Sequence, residues 1–75
     1  MAHERITRDP AVLLGKPCIV GTRISVEVIM RRLSTGLSAD QIAAEFPELT
    51  RDDVLAATAY AAELVRHDGL EQNPI

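Results

Sequence analysis

The chain has 75 residues, a net charge of -3 and an apolar share of 47%. A chain of this length has room for one domain, and such a domain buries only about 60% of the surface that its unfolded chain exposes. The single cysteine, Cys18, excludes an internal disulfide, and no apolar run approaches the ~20 residues that a membrane-spanning helix needs.

The predicted core is thin, because its apolar residues are mostly alanine and aliphatic and only Phe46 and Tyr60 are aromatic. A partner surface can supply the burial that such a core lacks. We therefore expect a homodimer in which residues 5–8 and 18–20, two short strands with otherwise unpaired edges, pair or pack across the subunits. The start of the chain lacks the apolar stretch of a signal peptide, so we expect a cytoplasmic protein with no membrane contact.

Charge is distributed unevenly along the chain. Residues 1–36 carry six basic and three acidic side chains, whereas residues 37–75 carry two basic and eight acidic ones. Such asymmetry suggests a charged partner, and solvated surface with charges placed at helix ends accounts for it equally well. If DNA is that partner, the basic half supplies the candidate contacts: Arg5, Arg8, Lys16, Arg23, Arg31 and Arg32.

Residues 1–24 are expected to form a β-arm and loop. Residues 1–5 are expected to be mobile, residues 5–8 to form one short strand, and residues 11–14 to make a helical turn or pack down. A second strand begins at Cys18, bracketed by Gly15 and Gly21, which can take positive φ without a Cβ penalty. We expect sharp backbone turns at both glycines.

The helix caps, helix stops and apolar periodicity of residues 25–67 predict a bundle of three helices. Ser25 is the expected N-cap of the first helix, over residues 26–35, which Gly36 ends. Ser38 opens the second helix with the capping-box pattern Ser-Ala-Asp-Gln, and Pro47 stops that helix near residue 46.

The third helix is expected over residues 51–67, followed by a polar tail at residues 68–75. Thr50 opens it, with Asp53 in the position that a capping box gives to glutamate. Capping also explains Asp52 and Asp53 better than a catalytic carboxylate pair, since adjacent helical residues point in different directions. The predicted inner face comprises Val54, Ala57, Ala61, Leu64 and Val65.

The residue patterns of familiar enzymes are missing. Gly15-Lys16 is followed by Pro17, which lacks the amide that a phosphate-binding loop needs. Cys18 with His3 or His67 makes no convincing nucleophile and base, and a small buried cysteine is the better interpretation. These residues also lack the spacing of metal ligands. We expect no catalysis, no cofactor and no metal.

Residues 37–54 match a helix-turn-helix pattern, in which a short turn joins an amphipathic helix to a capped one. Two features count against DNA reading by the third helix. The turn carries Pro47-Glu48 where glycine is typical, and the helix begins with Arg51-Asp52-Asp53, whose acids would face phosphates. A plain three-helix packing unit accounts for the pattern better.

Three segments together resemble the bacterial and archaeal family called domain of unknown function 433: Gly15-Lys16-Pro17, Gly21-Thr22-Arg23-Ile24 and Phe46-Pro47-Glu48-Leu49-Thr50. The resemblance runs from residue 6 to about residue 64. It implies a homeodomain-like, mainly α fold with a short N-terminal β-arm and a three-helix, helix-turn-helix-like bundle. It supplies no established catalytic residues, and Ser25 stands where members often carry proline, which preserves the cap.

Many members of that family look like antitoxins encoded beside a toxin with a PIN-like nuclease fold. The resemblance therefore implies an antitoxin-like module that binds such a toxin, with its own operator DNA as a further candidate partner. Two alternatives stay open: a DNA-binding regulator without a toxin, and a small dimeric scaffold that binds no nucleic acid. A toxin-like reading frame beside the gene is required by the first interpretation alone.

Overall fold

The computed structural model describes residues 3–68, which form a two-stranded antiparallel hairpin followed by three helices. The predicted fold class is confirmed: the chain is mainly helical, with a β-arm at its start. The sequence predicts a tail at residues 68–75. Residue 68 is instead the last residue of the third helix, and residues 69–75, like the first two residues, lie outside the described part. The elements are β1 (Ile6–Thr7), β2 (Cys18–Ile19), α1 (Val26–Ser34), α2 (Ala39–Glu45) and α3 (Arg51–Asp68).

Side chains at the predicted caps satisfy amides at the helix starts. The Ser25 hydroxyl accepts a hydrogen bond from the Val28 amide at the start of α1. At α2 the Ser38 hydroxyl accepts from the Gln41 amide, and the Gln41 side chain accepts from the Ser38 amide. These bonds replace helical partners that the first amides of a helix lack.

One large residue from each helix meets at the centre of the core. Ile29 of α1, Ile42 of α2 and Val54 of α3 are fully buried. Ile19 and Ile24 of the arm close the core from one side, so the arm shields apolar surface that the helices would otherwise expose.

Both edges of β2 are bonded within the same chain. β2 pairs antiparallel with β1, with Ile6 opposite Ile19. On its other edge the Ile19 amide donates to the Ile24 carbonyl at 3.0 Å, and Cys18 bridges to Ser25. The unpaired edges that motivated our expectation of pairing across subunits are therefore absent from β2.

Two polar contacts hold the start of the arm against α3. His3 forms a hydrogen bond with the Glu63 carboxylate, and this bond lowers the pKa of Glu63. The imidazole ring of His3 also packs edge-on against Tyr60, with 5.2 Å between the ring centroids. Arg5 donates to Asp53 at 2.8 Å. The expectation of a mobile start is therefore wrong for residues 3–5, because α3 supplies partners that local sequence does not reveal.

The predicted inner face of α3 is wrong at its C-terminal end. Leu64 is 38% exposed and Val65 is 61% exposed, whereas Val54 and Ala57 are buried. The reason is length: α3 has 18 residues, against nine in α1 and seven in α2. Its last turns extend past the helices that would cover them.

The loop between the strands contains three consecutive residues with left-handed backbone. Leu13, Leu14 and Gly15 have φ values of 50, 57 and 85°, and Leu14 is 95% exposed. The sequence predicted that residues 11–14 form a helical turn or pack down. A short 3-10 turn does form, at Leu13–Gly15, but its backbone is left-handed, and Leu14 does not pack down. Left-handed φ costs a leucine roughly 1 kcal/mol or more.

We expect Gly21→Val to destabilise the fold by about 1 kcal/mol or more. Gly21 has a φ of 81°, and nothing lies within 4 Å of the place where a Cβ would stand, so backbone strain alone causes the loss. Thermal unfolding measures it. Gly21→Asn is the matched control and should lose less, because asparagine tolerates left-handed φ. Unchanged stability of the valine variant would contradict the account.

A pH dependence follows from Asp53, which is 8% exposed. Burial raises its pKa, but bonds from the Thr50 amide and the Arg5 guanidinium outweigh this and hold the pKa below the ordinary 3.8. A depressed carboxylate pKa adds stability that is complete above the ordinary value and is lost as the pH falls through the folded value. We expect Asp53→Asn to cost about 1 kcal/mol at pH 7, since it weakens a charged cap.

Denaturant unfolding from pH 7 to about pH 2 measures this loss, which should shrink below about pH 4. Glu48→Gln, which neutralises an exposed carboxylate without a hydrogen bond among residues 3–68, is the control and should change stability little at any pH. A loss at Asp53→Asn that stays constant down to pH 2 would contradict the charge-based account.

Candidate functional site

Four of the six candidate basic residues line one groove of about 390 Å³ between the arm and α1. The loop after the left-handed turn supplies Lys16, the segment after Gly21 supplies Arg23, and the end of α1 supplies Arg31 and Arg32. We call it the basic groove. Its remaining lining residues are Leu13, Ser25, Glu27 and Val28.

Glu27 joins two of these cations. Its carboxylate accepts hydrogen bonds from Lys16 Nζ at 3.2 Å and from Arg31 Nη2 at 2.9 Å. The bond from Lys16, with the positive charges of Lys16 and Arg31, holds the pKa of Glu27 below its ordinary value. Glu27 is therefore ionised at neutral pH and cancels one of the four positive charges.

Arg32 is bound to α2. Its Nε donates to the Glu45 carboxylate at 3.0 and 3.1 Å, and its guanidinium lies 5.4 Å from the centroid of the Phe46 ring. A cation over an aromatic face adds about 0.5–1 kcal/mol at an exposed site. Arg32 thus contributes to packing between α1 and α2 as well as to the charge of the groove.

Arg23 is the cation of the groove that the chain leaves unpaired. It is exposed and forms no ion pair or hydrogen bond through its side chain within residues 3–68. The preceding residue fixes the turn that presents it: the Thr22 hydroxyl donates to the Ile19 carbonyl at 2.9 Å and accepts from the Ile24 amide at 3.0 Å. Arg23 therefore offers a complete guanidinium fork to a partner.

Comparison with known proteins assigns the chain to a family. Residues 6–61 match the family described as "Protein of unknown function (DUF433)". The chain belongs to the DUF433 family. Comparisons with curated proteins and with solved structures found no match. The matched residues include every residue that lines the basic groove.

The other two candidates of this DUF433 chain lie outside the basic groove. Arg5 is engaged by Asp53 of α3. Arg8 is exposed and makes no ion pair among the described residues. The six cations therefore do not form one continuous stripe: four share a groove, and two lie elsewhere on the arm.

The start of α3, which would read DNA in a helix-turn-helix protein, offers little positive charge. Arg51 is 3.5 Å from the Asp40 carboxylate of α2. Asp52 is exposed, and Asp53 is buried in the Thr50 cap. Positive charge without a nearby carboxylate is therefore scarce at the start of α3.

Cys18 and the potential metal ligands, the residues considered for catalysis or metal binding, do not form such a site in the described part of the chain. Cys18 is buried, and its thiol donates to the Lys16 carbonyl at 3.2 Å. No group of three potential metal ligands comes together within residues 3–68. In the same part of the chain, no helix is both long enough and apolar enough to cross a membrane.

The sequence did not predict that Glu27 joins Lys16 and Arg31 in the basic groove. The spacing of four residues between Glu27 and Arg31 is a recognisable signal for a helical ion pair. The bond to Lys16, which precedes α1 by a loop and a strand, depends on the tertiary fold and had no such signal.

Proposed function

We propose that this DUF433 chain is an antitoxin-type binding module without catalytic activity, which acts in the cytoplasm and binds a toxin with a PIN-like nuclease fold. The observation that carries the proposal is the basic groove with its unpaired Arg23. The family resemblance supports the choice of partner, since many members look like antitoxins.

The chemistry of the partner supports the same choice. Metal-dependent nucleases hold their cations with carboxylates, so the active site that a bound antitoxin would cover is itself acidic. An arginine fork binds a carboxylate in a bidentate fashion, and charge complementarity speeds and orients association. Leu14, almost fully exposed beside the groove-lining Leu13, offers an apolar anchor of the kind that interfaces bury.

Two further observations support a binding role over catalysis. The thiol of Cys18 is only 1% exposed and bonds to a backbone carbonyl. The adjacent carboxylates diverge, with Asp52 at the surface and Asp53 in a cap. Neither group is presented as an accessible nucleophile or acid–base pair.

The first test is whether the gene lies beside a reading frame for a nuclease-like protein, which the proposal requires, and the second pairs this chain with that protein. We expect the two to co-purify and the chain to inhibit nuclease activity. Arg23→Glu should weaken binding about tenfold or more, because it places a carboxylate against an acidic surface. Arg8→Glu makes the same charge change at an exposed arginine outside the groove and is expected to bind as the wild type does. A wild type that does not bind, or equal loss in both variants, would contradict the proposal.

Operator DNA is a second candidate partner, favoured by the same convergence of Lys16, Arg23 and Arg31 on one face. Such cations contact phosphates as point charges and forks, so binding should be salt-dependent with little discrimination among bases. Toxin binding and DNA binding would then compete for one groove.

A mobility-shift titration with the DNA upstream of the gene tests this candidate. The double variant Arg23→Ala with Arg31→Ala should bind about tenfold more weakly and with a shallower salt dependence. Glu27→Gln should bind more tightly, since it removes the negative charge of the groove. Arg51→Ala is the control from the start of α3 and should bind like the wild type. Loss of binding in Arg51→Ala alone would assign the contact to α3, and no binding by any form would leave the toxin as the partner.

A further inference from the structure

An exposed apolar face runs along α3 beside the face that packs on the core. Leu55 is 44% exposed, and Val65 is more exposed still. Between them Thr58, Ala59 and Ala62 are also exposed. Spacings of three and four residues put all five on one side of the helix. We call this side the outer face of α3.

An unpaired charge of opposite sign lies at each end of the outer face. Asp52 and Arg66 are both exposed, and neither forms an ion pair within residues 3–68. They are 14 positions apart, close to four turns, so they lie on the same side of the helix and about 21 Å apart along its axis. Within one chain they cannot reach each other.

We propose that the outer face of α3 binds the same face of a second copy, with the two helices antiparallel. In that arrangement Asp52 of each chain meets Arg66 of the other, and Leu55 meets Val65. The midpoint of the charged pair is position 59 and that of the apolar pair is position 60. The two midpoints are one position apart, about 1.5 Å along the helix, so one twofold axis between them brings both pairings close to register, as a self-complementary interface requires.

The residues near that axis are small. Ala59 and Ala62 allow the helices to approach closely, at the short end of the usual 8–10 Å between helix axes. A parallel arrangement would place Asp52 beside Asp52 and Arg66 beside Arg66, which like-charge repulsion disfavours. The charges therefore select the antiparallel arrangement as well as the second copy.

The residues of the outer face of α3 also favour a second copy of the chain over DNA or a partner of the basic groove. DNA would be repelled by Asp52, and the basic groove is built from the arm and α1, not from α3. The proposed dimer does not rest on antitoxin function. It differs from our expectation that the arm pairs or packs across the subunits, for which β2 offers no free edge.

Charge reversal tests the pairing directly in sedimentation velocity experiments on the full chain. The wild type should dimerise, and Asp52→Arg and Arg66→Asp should each raise the dissociation constant about tenfold, because each puts like charges together at two symmetric places. An equimolar mixture of the two variants should restore wild-type affinity as a heterodimer, since both of its contacts then join opposite charges. Circular dichroism checks that each variant is folded.

A second pair of variants tests the apolar centre. Ala62→Glu should abolish the dimer, because it inserts a charge near the axis, whereas Ala44→Glu makes the same change on the exposed side of α2 and should leave the dimer intact. Three results would each overturn the proposal: a monomeric wild type at about 100 µM, a dimer that Ala62→Glu retains, or a mixture of charge variants no tighter than either variant alone.

Discussion

The buried carboxylate of Asp53 connects the arm to the helices, because it accepts hydrogen bonds from the Thr50 amide at 2.9 Å and from Arg5 at 2.8 Å. The first bond caps α3 and the second holds β1 beside it. With β1 in place, β2 is bonded to β1 on one edge and to the segment that follows β2 on the other, and Ile19 and Ile24 cover the core. The placement of the basic groove, which the arm lines, therefore depends on a contact between the arm and α3.

The ion pairs within the chain determine which of its cations are available to a charged partner. Of the cations in the basic half, Arg5, Lys16, Arg31 and Arg32 have carboxylate partners within the chain. Exposed ion pairs contribute little to stability, so a partner with matching charge can compete for them. Arg8 and Arg23 need no such exchange, and of these two only Arg23 lies in the basic groove.

Because α3 is longer than the core requires, its last turns both anchor the start of the arm and leave apolar side chains exposed. A thin core needs only its first turns, which supply Val54 and Ala57. The remaining turns anchor His3 through Glu63 and expose Leu64 and Val65. A chain of this size has little core to spare, so apolar surface left on a long helix favours association. On this account, the basic groove offers charge and the outer face of α3 offers apolar contact.

Sequence alone determined the features that depend on neighbours a few residues away. The serine caps, the threonine cap with Asp53, the helix ends and the positive φ of Gly15 and Gly21 all follow from bonds or sterics within about four residues. The family segments likewise come from contiguous residues. The six candidate basic residues could likewise be named from the sequence, but the sequence did not predict that four of them line one groove.

Tertiary structure alone decided the contacts between distant residues. Arg5 and Asp53 are 48 positions apart and His3 and Glu63 are 60 apart, and no local pattern links such pairs. The exposure of Leu64 and Val65 depends on where the shorter helices end, and the basic groove on how the arm lies beside α1. Helical periodicity predicts which side a residue occupies, but only the packed neighbours determine whether that side is covered.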